Sequence, residues 1–166
     1  MNKLRKLCGF LLSIVMVVTL CIPASAAASS NITGGIDYVV YNQNGEIVEE
    51  GTIPPSNANY HWSGITLDNG WYTSFMPSNS SARGFYVTDG TKMKFSYTLN
   101  RSATMKYQFI KTNYNGTDDE YDWKSGTKTG KSATVYATAD ETKYYRVGIT
   151  NASSDRVTLT SVNFTF

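Results

Sequence analysis

The sequence predicts an all-β protein, an antiparallel two-layer β-sandwich of about nine or ten strands, and three observations predict it. Apolar and polar residues alternate at period two in several segments, which marks strands with one buried face. Pairs such as Asn44-Gly45, Asn69-Gly70, Asp89-Gly90 and Asn115-Gly116 supply the positive-φ residues that tight turns need. No segment after Ala28 carries an apolar period of 3.6 residues.

Taken in order, Ile36–Tyr41, Glu46–Ile53, Trp62–Leu67, Trp71–Met76 and Phe85–Thr88 are short aromatic and β-branched runs bounded by turn residues. From Lys92 to Leu99, Met93, Phe95, Tyr97 and Leu99 face one way and the lysines, Ser96 and Thr98 the other. Thr104–Lys111 repeats the pattern with Met105, Tyr107 and Phe109 inward, and Ala133–Ala139 does so with Ala133, Val135 and Ala137. Tyr145, Val147 and Ile149 continue it. In the last segment Val157 and Leu159 are odd-numbered while Val162, Phe164 and Phe166 are even-numbered, so a β-bulge is expected near Thr160-Ser161. Residues 54–57, 77–81 and 113–130 read as surface loops. With one apolar face per strand, two sheets must close on each other.

The first 26 residues have the layout of an export signal. A basic head, Asn2 to Lys6, precedes an apolar run from Leu7 to Ile22, and Pro23-Ala24-Ser25-Ala26-Ala27 offers a small-residue cleavage site. The run is short for a bilayer span, which needs roughly 20 residues. Cys21 follows Leu20, where lipoprotein processing wants a small residue. A signal at 1–26 and one secreted domain at 27–166 are therefore expected, with no stable membrane anchor after cleavage. Both cysteines, Cys8 and Cys21, lie in the removed segment, so the mature domain has neither disulfide nor thiol ligand. Removal also takes Lys3, Arg5 and Lys6, leaving twelve basic against thirteen acidic residues, a net charge of about −1. The remaining basic residues are scattered, which argues against nucleic acid as a partner.

The inventory offers little catalytic chemistry. His61 is the sole histidine, which excludes multi-histidine metal sites, and no G-x-S-x-G elbow accompanies it. Asp37, between Ile36 and Tyr38, is the nearest candidate for a carboxylate acid, and alternation turns it away from the core. Asp118, Asp119, Glu120 and Asp122 cluster hard oxygen ligands, but their spacing does not fit an EF-hand, and a solvated charged loop is the expectation. Neither cofactor nor metal is predicted.

Aromatic residues are the better clue. All twelve tyrosines and all three tryptophans follow the signal. If Ala137 pairs with Tyr145 through a hairpin at Asp140-Glu141-Thr142, Tyr136 lies opposite Arg146 with Tyr144 one step along, forming an outward strip able to stack on a sugar ring. Trp123, in the acidic segment, reads as an exposed ring, whereas Trp62 and Trp71 read as closing one end of the sandwich. Trp123, Tyr136, Tyr144 and Arg146 are thus the candidate ligand-binding set.

The segments "FYVTDGTKMKFSYTL" and "ATVYATADETKYYRVGITNASSDRVTLTSVNFTF" together resemble the final strands of jelly-roll-like β-sandwich modules in secreted Gram-positive bacterial proteins. The resemblance implies a jelly-roll-like sandwich that binds a surface, a glycan or a partner protein, with no catalysis of its own. The expectation is a secreted non-enzymatic protein that binds a glycan or cell-surface component. The alternative is a secreted protein-interaction, structural or antagonistic factor, inhibitor-like or bacteriocin-like, with an extracellular protein partner.

Overall fold

The computed structural model describes residues 35–55, 63–78 and 81–166. The signal segment, His61 and Trp62 lie outside the described residues. Among the described residues there are nine strands: β1 (Ile36–Tyr41), β2 (Ile47–Ile53), β3 (Ile65–Leu67), β4 (Tyr72–Pro77), β5 (Phe85–Val87), β6 (Lys92–Thr112), β7 (Glu120–Thr138), β8 (Lys143–Asn151) and β9 (Val157–Thr165). All pairings are antiparallel and run in the order β2-β1-β4-β8-β6-β9-β3, with β5 also on β8 and β7 also on β6.

The two layers arise because β6 is long enough to serve both. Its second half, Met105 to Thr112, pairs with β8 and carries the layer β2-β1-β4-β8-β6-β7, in which β4 and β5 lie end to end along β8. Its first half, Lys94 to Leu99, pairs with β9 and carries the second layer β7-β6-β9-β3. Between the halves the β6–β7 register shifts from Thr98 to Ala103, so the hairpin bends from one layer into the other. The two strands predicted at Lys92–Leu99 and Thr104–Lys111 are therefore one. Asn100 Oδ1 accepts from the Thr158 amide at 3.0 Å, and Arg101 reaches Asp155 at 3.0 Å, tying the corner to the neighbouring strand and loop.

The core between the layers holds the predicted inward residues: Met93, Phe95, Leu99, Met105, Phe109, Val147, Ile149, Val157 and Leu159 are fully buried. Aromatic rings cross the interface, Phe75 to Phe95 at 5.5 Å and Phe85 to Phe164 at 4.8 Å between centroids. The predicted bulge is present: Thr98 faces Ser161 and Leu99 faces Leu159, which leaves Thr160 as the extra residue. Trp71 packs against the core.

Two expectations are corrected. Residues 113–130 are not all loop, because β7 starts at Glu120 and pairs with β6 from Lys111 to Ala103. This half of β7 overhangs the core at a sheet edge, so its inward positions Lys124, Gly126 and Lys128 need not be apolar. The second correction concerns the β7–β8 hairpin. Ala137 pairs with Met93 and Tyr145 pairs with Phe85 and Lys111, because β6 and the β4–β5 lane occupy both sides of β8. Tyr136 accordingly sits opposite Lys94, and Arg146 opposite Ile110.

Candidate functional site

Strand alternation turns Tyr41 of β1, Tyr72, Ser74 and Met76 of β4, Tyr144, Arg146, Gly148 and Thr150 of β8, and Gln108 and Ile110 of β6 onto the outer face of the larger layer. An outer face is ordinarily solvated. Here Ser74, Ile110, Thr112 and Arg146 are buried, because the segment from Asn113 to Tyr121 folds back over them. Asp119 holds that segment down. Its carboxylate accepts from Thr112 Oγ1 at 2.5 Å and forms an ion pair with the Arg146 guanidinium, both charged groups being almost wholly buried. The Arg83 amide donates to the Tyr114 carbonyl at 2.9 Å and fastens the same segment from the other side.

Where this cover stops, a cleft of about 400 Å³ opens, lined by Tyr41, Tyr72, Tyr121, Gln43, Gln108 and Thr150 among others. Tyr72 forms the floor. A Cβ at Gly148 would lie 2.3 Å from its ring, so the ring lies flat on the sheet only because β8 carries glycine there. Tyr41 stacks beside it, with centroids 5.9 Å apart and planes 28° apart. Burial pushes the Tyr72 hydroxyl up to about 12, against opposing contributions from Ser74 and Arg146. The Tyr72 and Ser74 hydroxyls are neighbours, and neither completes a hydrogen bond of normal geometry among the described residues.

The walls come from turns. Gly45 (φ 79°) and Gly70 (φ 73°) allow the Asn42–Glu46 and Asp68–Trp71 turns to close at one end, as the Asn-Gly pairs predicted. Gln43 Nε2 donates to the Asn69 carbonyl at 2.6 Å and joins them. On the opposite wall Gln108 Nε2 donates to the Tyr121 carbonyl at 3.0 Å, which places Tyr121, 49% exposed, over the opening. Burial, and then Asp119, raises the Tyr121 hydroxyl above its ordinary value. The cleft therefore presents flat apolar ring surface beside carboxamide groups that donate and accept.

The four residues nominated from the sequence occupy separate places. Arg146 lies under the covering segment, not in solvent, and acts on the cleft through Asp119. Tyr144 is on the same outer face, at the far end, with Tyr86 at 5.2 Å and Tyr114 at 5.7 Å; those two partners are 57% and 46% exposed. Tyr136 is exposed on the other layer with the Lys92 ammonium 4.5 Å above its ring. Trp123, expected as an exposed ring, instead packs against the core and closes one end of the sandwich. Its centroid is 5.0 Å from Tyr145, its Nε1 donates to Asp140 Oδ2 at 3.0 Å, and the Lys111 ammonium lies 5.2 Å from the ring.

The end cap is ionic as well as aromatic. Lys111 is buried and reaches Asp140 and Glu141 at 3.0 Å each. Burial pulls its ammonium pKa down, and the bonds and charges of the two carboxylates raise it by more, so it stands above the ordinary lysine value. Lys111, and then Trp123, hold Asp140 below the usual carboxylate range. Asp37 Oδ1 accepts from Thr52 Oγ1 at 2.6 Å across the β1–β2 pair. Among the described residues no group of three or more His, Cys, Asp or Glu side chains converges on a metal site, and no helix is long and apolar enough to cross a membrane.

No protein-family model matches the sequence, and no curated protein matches it. Among solved structures the chain is similar to the CBM22-1 and GH10 modules of the Clostridium thermocellum N-terminal endo-1,4-beta-D-xylanase 10B, complexed with xylohexaose, at 12% identity and TM-score 0.39. The match covers 81% of this chain and 26% of that one, so the chain spans about a quarter of its length. It is also similar to a CBM4 structure (15% identity, TM-score 0.46, 76% of this chain and 92% of that one). A third is the Candida glabrata epithelial adhesin 9 to 1 A domain in complex with β-lactose (11% identity, TM-score 0.39, 82% and 81%). The β-sandwich read from the strand rhythm is borne out by the strands themselves, and these likenesses assign no residue a role.

Proposed function

We propose that the protein is a secreted, non-catalytic β-sandwich that binds a glycan, released from a signal at 1–26, and that the Tyr41–Tyr72–Tyr121 cleft holds the sugar. The observation that carries this reading is the floor: the Tyr72 ring laid on Gly148 with the Tyr41 ring stacked beside it, a third tyrosine at the opening and carboxamides on both walls. Sugar rings have apolar C–H faces and a rim of hydroxyls, so they need planar aromatic surface for affinity and fixed polar groups for orientation. Both are present within one opening. Of the residues nominated from the sequence, Arg146 enters the proposal as a positioning residue that keeps Asp119, and with it Tyr121, in place. Tyr144 enters as a second platform on the same face. The Tyr72 ring lies on Gly148, and four residues at about 3.3 Å place Tyr144 roughly 13 Å further along β8, a span suited to a short chain of sugars. Trp123 and Tyr136, which face elsewhere, serve as comparison sites.

The test is a glycan array with cell-wall pull-down, followed by titration calorimetry on whichever glycan is retained. Tyr41→Ala and Tyr121→Ala should each weaken binding about tenfold or more, while Trp123→Ala and Tyr136→Ala leave the affinity within about twofold. Retention of the wild type by no glycan and no cell wall overturns the function. Retention that survives loss of both Tyr41 and Tyr121 overturns the site.

A further inference from the structure

The cleft lining carries no charge, and we infer that its ligand is a neutral glycan: both walls receive sugar hydroxyls, and a carboxylate, phosphate or sulfate is refused. The inference rests on the sugar-binding reading of the Tyr41–Tyr72–Tyr121 cleft and narrows its ligand. The lining consists of tyrosine, asparagine, glutamine, glycine and threonine, with no Asp, Glu, Lys, Arg or His among the described residues. Tyrosines stay protonated at neutral pH, so the whole surface is uncharged. The two arginines that approach it are already engaged. Arg146 pairs with Asp119 under the covering segment, and Arg156 is bound to Asp68 of the turn that carries Gly70, at 2.5 Å. At the Asn42 wall stands a carboxylate, since Glu46 accepts from Asn42 Nδ2 at 2.6 Å. An anion brought into this opening would lose water and meet no cation in return.

Hydrogen-bond polarity excludes the same ligands. A backbone carbonyl can only accept, so Gln43 and Gln108 must turn their NH2 groups to the carbonyls of Asn69 and Tyr121, at 2.6 and 3.0 Å. Each leaves its amide oxygen over, and among the described residues neither oxygen accepts a hydrogen bond. The Asn42 side-chain oxygen, by contrast, is taken by the amides of Asn44 and Glu46. The glutamines therefore offer acceptors. A sugar hydroxyl or an acetamido N–H donates to them, whereas a carboxylate has only acceptors and would set oxygen against oxygen. Lys106 sits opposite Thr150 on β6, exposed and outside the lining. An ammonium in water gains about 1 kcal/mol or less from an ion pair, too little to offset the desolvation of an anion in the cleft.

The test takes the glycan that the wild type retains on the array and converts it to its carboxymethyl and hydroxyethyl ethers at equal substitution, two additions of similar size of which one is charged. Calorimetry at about 10 mM salt should find the carboxymethyl ether bound about tenfold more weakly than the hydroxyethyl ether. Affinity for the unmodified glycan should change less than about twofold between about 10 mM and about 1 M salt. Lys106→Gln should leave the affinities for both ethers within about twofold. Gln43→Lys keeps a donor for the Asn69 carbonyl while bringing a cation to the wall, so it should recover about fivefold of the lost carboxymethyl binding at low salt. Retention of acidic glycans alone, equal binding of the two ethers, a salt-sensitive affinity for the unmodified glycan, a loss of carboxymethyl binding in Lys106→Gln or no recovery in Gln43→Lys would each overturn the neutral class, with the cleft still standing as the glycan site. Retention of no glycan at all would overturn the reading on which it rests.

Discussion

Gly148→Ala probes the cleft floor directly. The added methyl would lie 2.3 Å from the Tyr72 ring, inside any real contact distance, so the ring must lift from the sheet. Overpacking of this kind costs about 1–3 kcal/mol. Replacing a strand glycine by alanine returns about 0.5–1 kcal/mol of backbone entropy. The net expectation is a destabilisation of roughly 1 kcal/mol, read as a lowered urea midpoint at unchanged slope. In a Tyr72→Ala background the clash is gone and only the entropy gain remains, so the same substitution should stabilise by about 0.5 kcal/mol. The double-mutant cycle should therefore give a coupling of about 1.5–2 kcal/mol, well above the scatter of about 0.5 kcal/mol expected for independent sites. A coupling inside that scatter would mean that Tyr72 does not lie on Gly148, and the flat floor on which the sugar-binding proposal stands would be refuted with it.

Three further outcomes follow from the structure. Phe95→Ala should cost about 3–5 kcal/mol and Lys94→Ala under about 0.5, because one is sealed between the layers and the other is exposed; equal urea midpoints would put the strand phase in error. Burial in each case, with Glu49 adding for Tyr38 and Tyr107 for Tyr97, pushes the hydroxyls of Tyr38, Tyr72 and Tyr97 up to about 12. Their folded-state pKa values are raised above the unfolded value near 10, so the folded state binds more protons between the two, and stability should fall as pH rises from about 10 towards 12. Phenolate absorbance should show a late phase in the native protein that is missing in urea. At acid pH the sign reverses: Asp140 is lowered by Lys111, so its contribution is present above about pH 4 and is lost as pH falls through its lowered value. Asp140→Asn should flatten the acid limb of the stability curve, and an unchanged limb would mean that the end cap carries no pH dependence.

Legibility in the sequence followed burial. Met93, Phe95, Tyr97 and Leu99 were readable because each must fill the same interior while their neighbours stay wet, and the phase slip after Leu159 was readable because the interior does not move when the chain gains a residue. The first half of β7 was not, since an overhanging edge strand has no buried face to impose alternation, and Lys-Ser-Gly-Thr-Lys-Thr-Gly-Lys looks like a loop. Pairing failed for another reason. Period two says which face a residue takes and nothing about which strand lies beside it, and β7 and β8, adjacent in sequence, are separated by β6.

The same distinction explains how the cleft was missed while Arg146, one of its supports, was found. Tyr136, Tyr144 and Arg146 were correctly turned away from the core, but an outer face is a binding surface only where something shapes it. What shapes this one is the return of residues 113–121, tied by Asp119 to Arg146. Three signals pointed there: Tyr41 and Tyr72 fall out of phase with Val40 and Thr73, and Gly148 interrupts an otherwise bulky strand, as a glycine does where another group must approach the backbone. An outward arginine in the middle of β8 was the fourth. A guanidinium on a solvated sheet face needs no partner, whereas one sealed beneath a loop must have its charge met, so the burial of Arg146 and the position of Tyr121 are consequences of one contact.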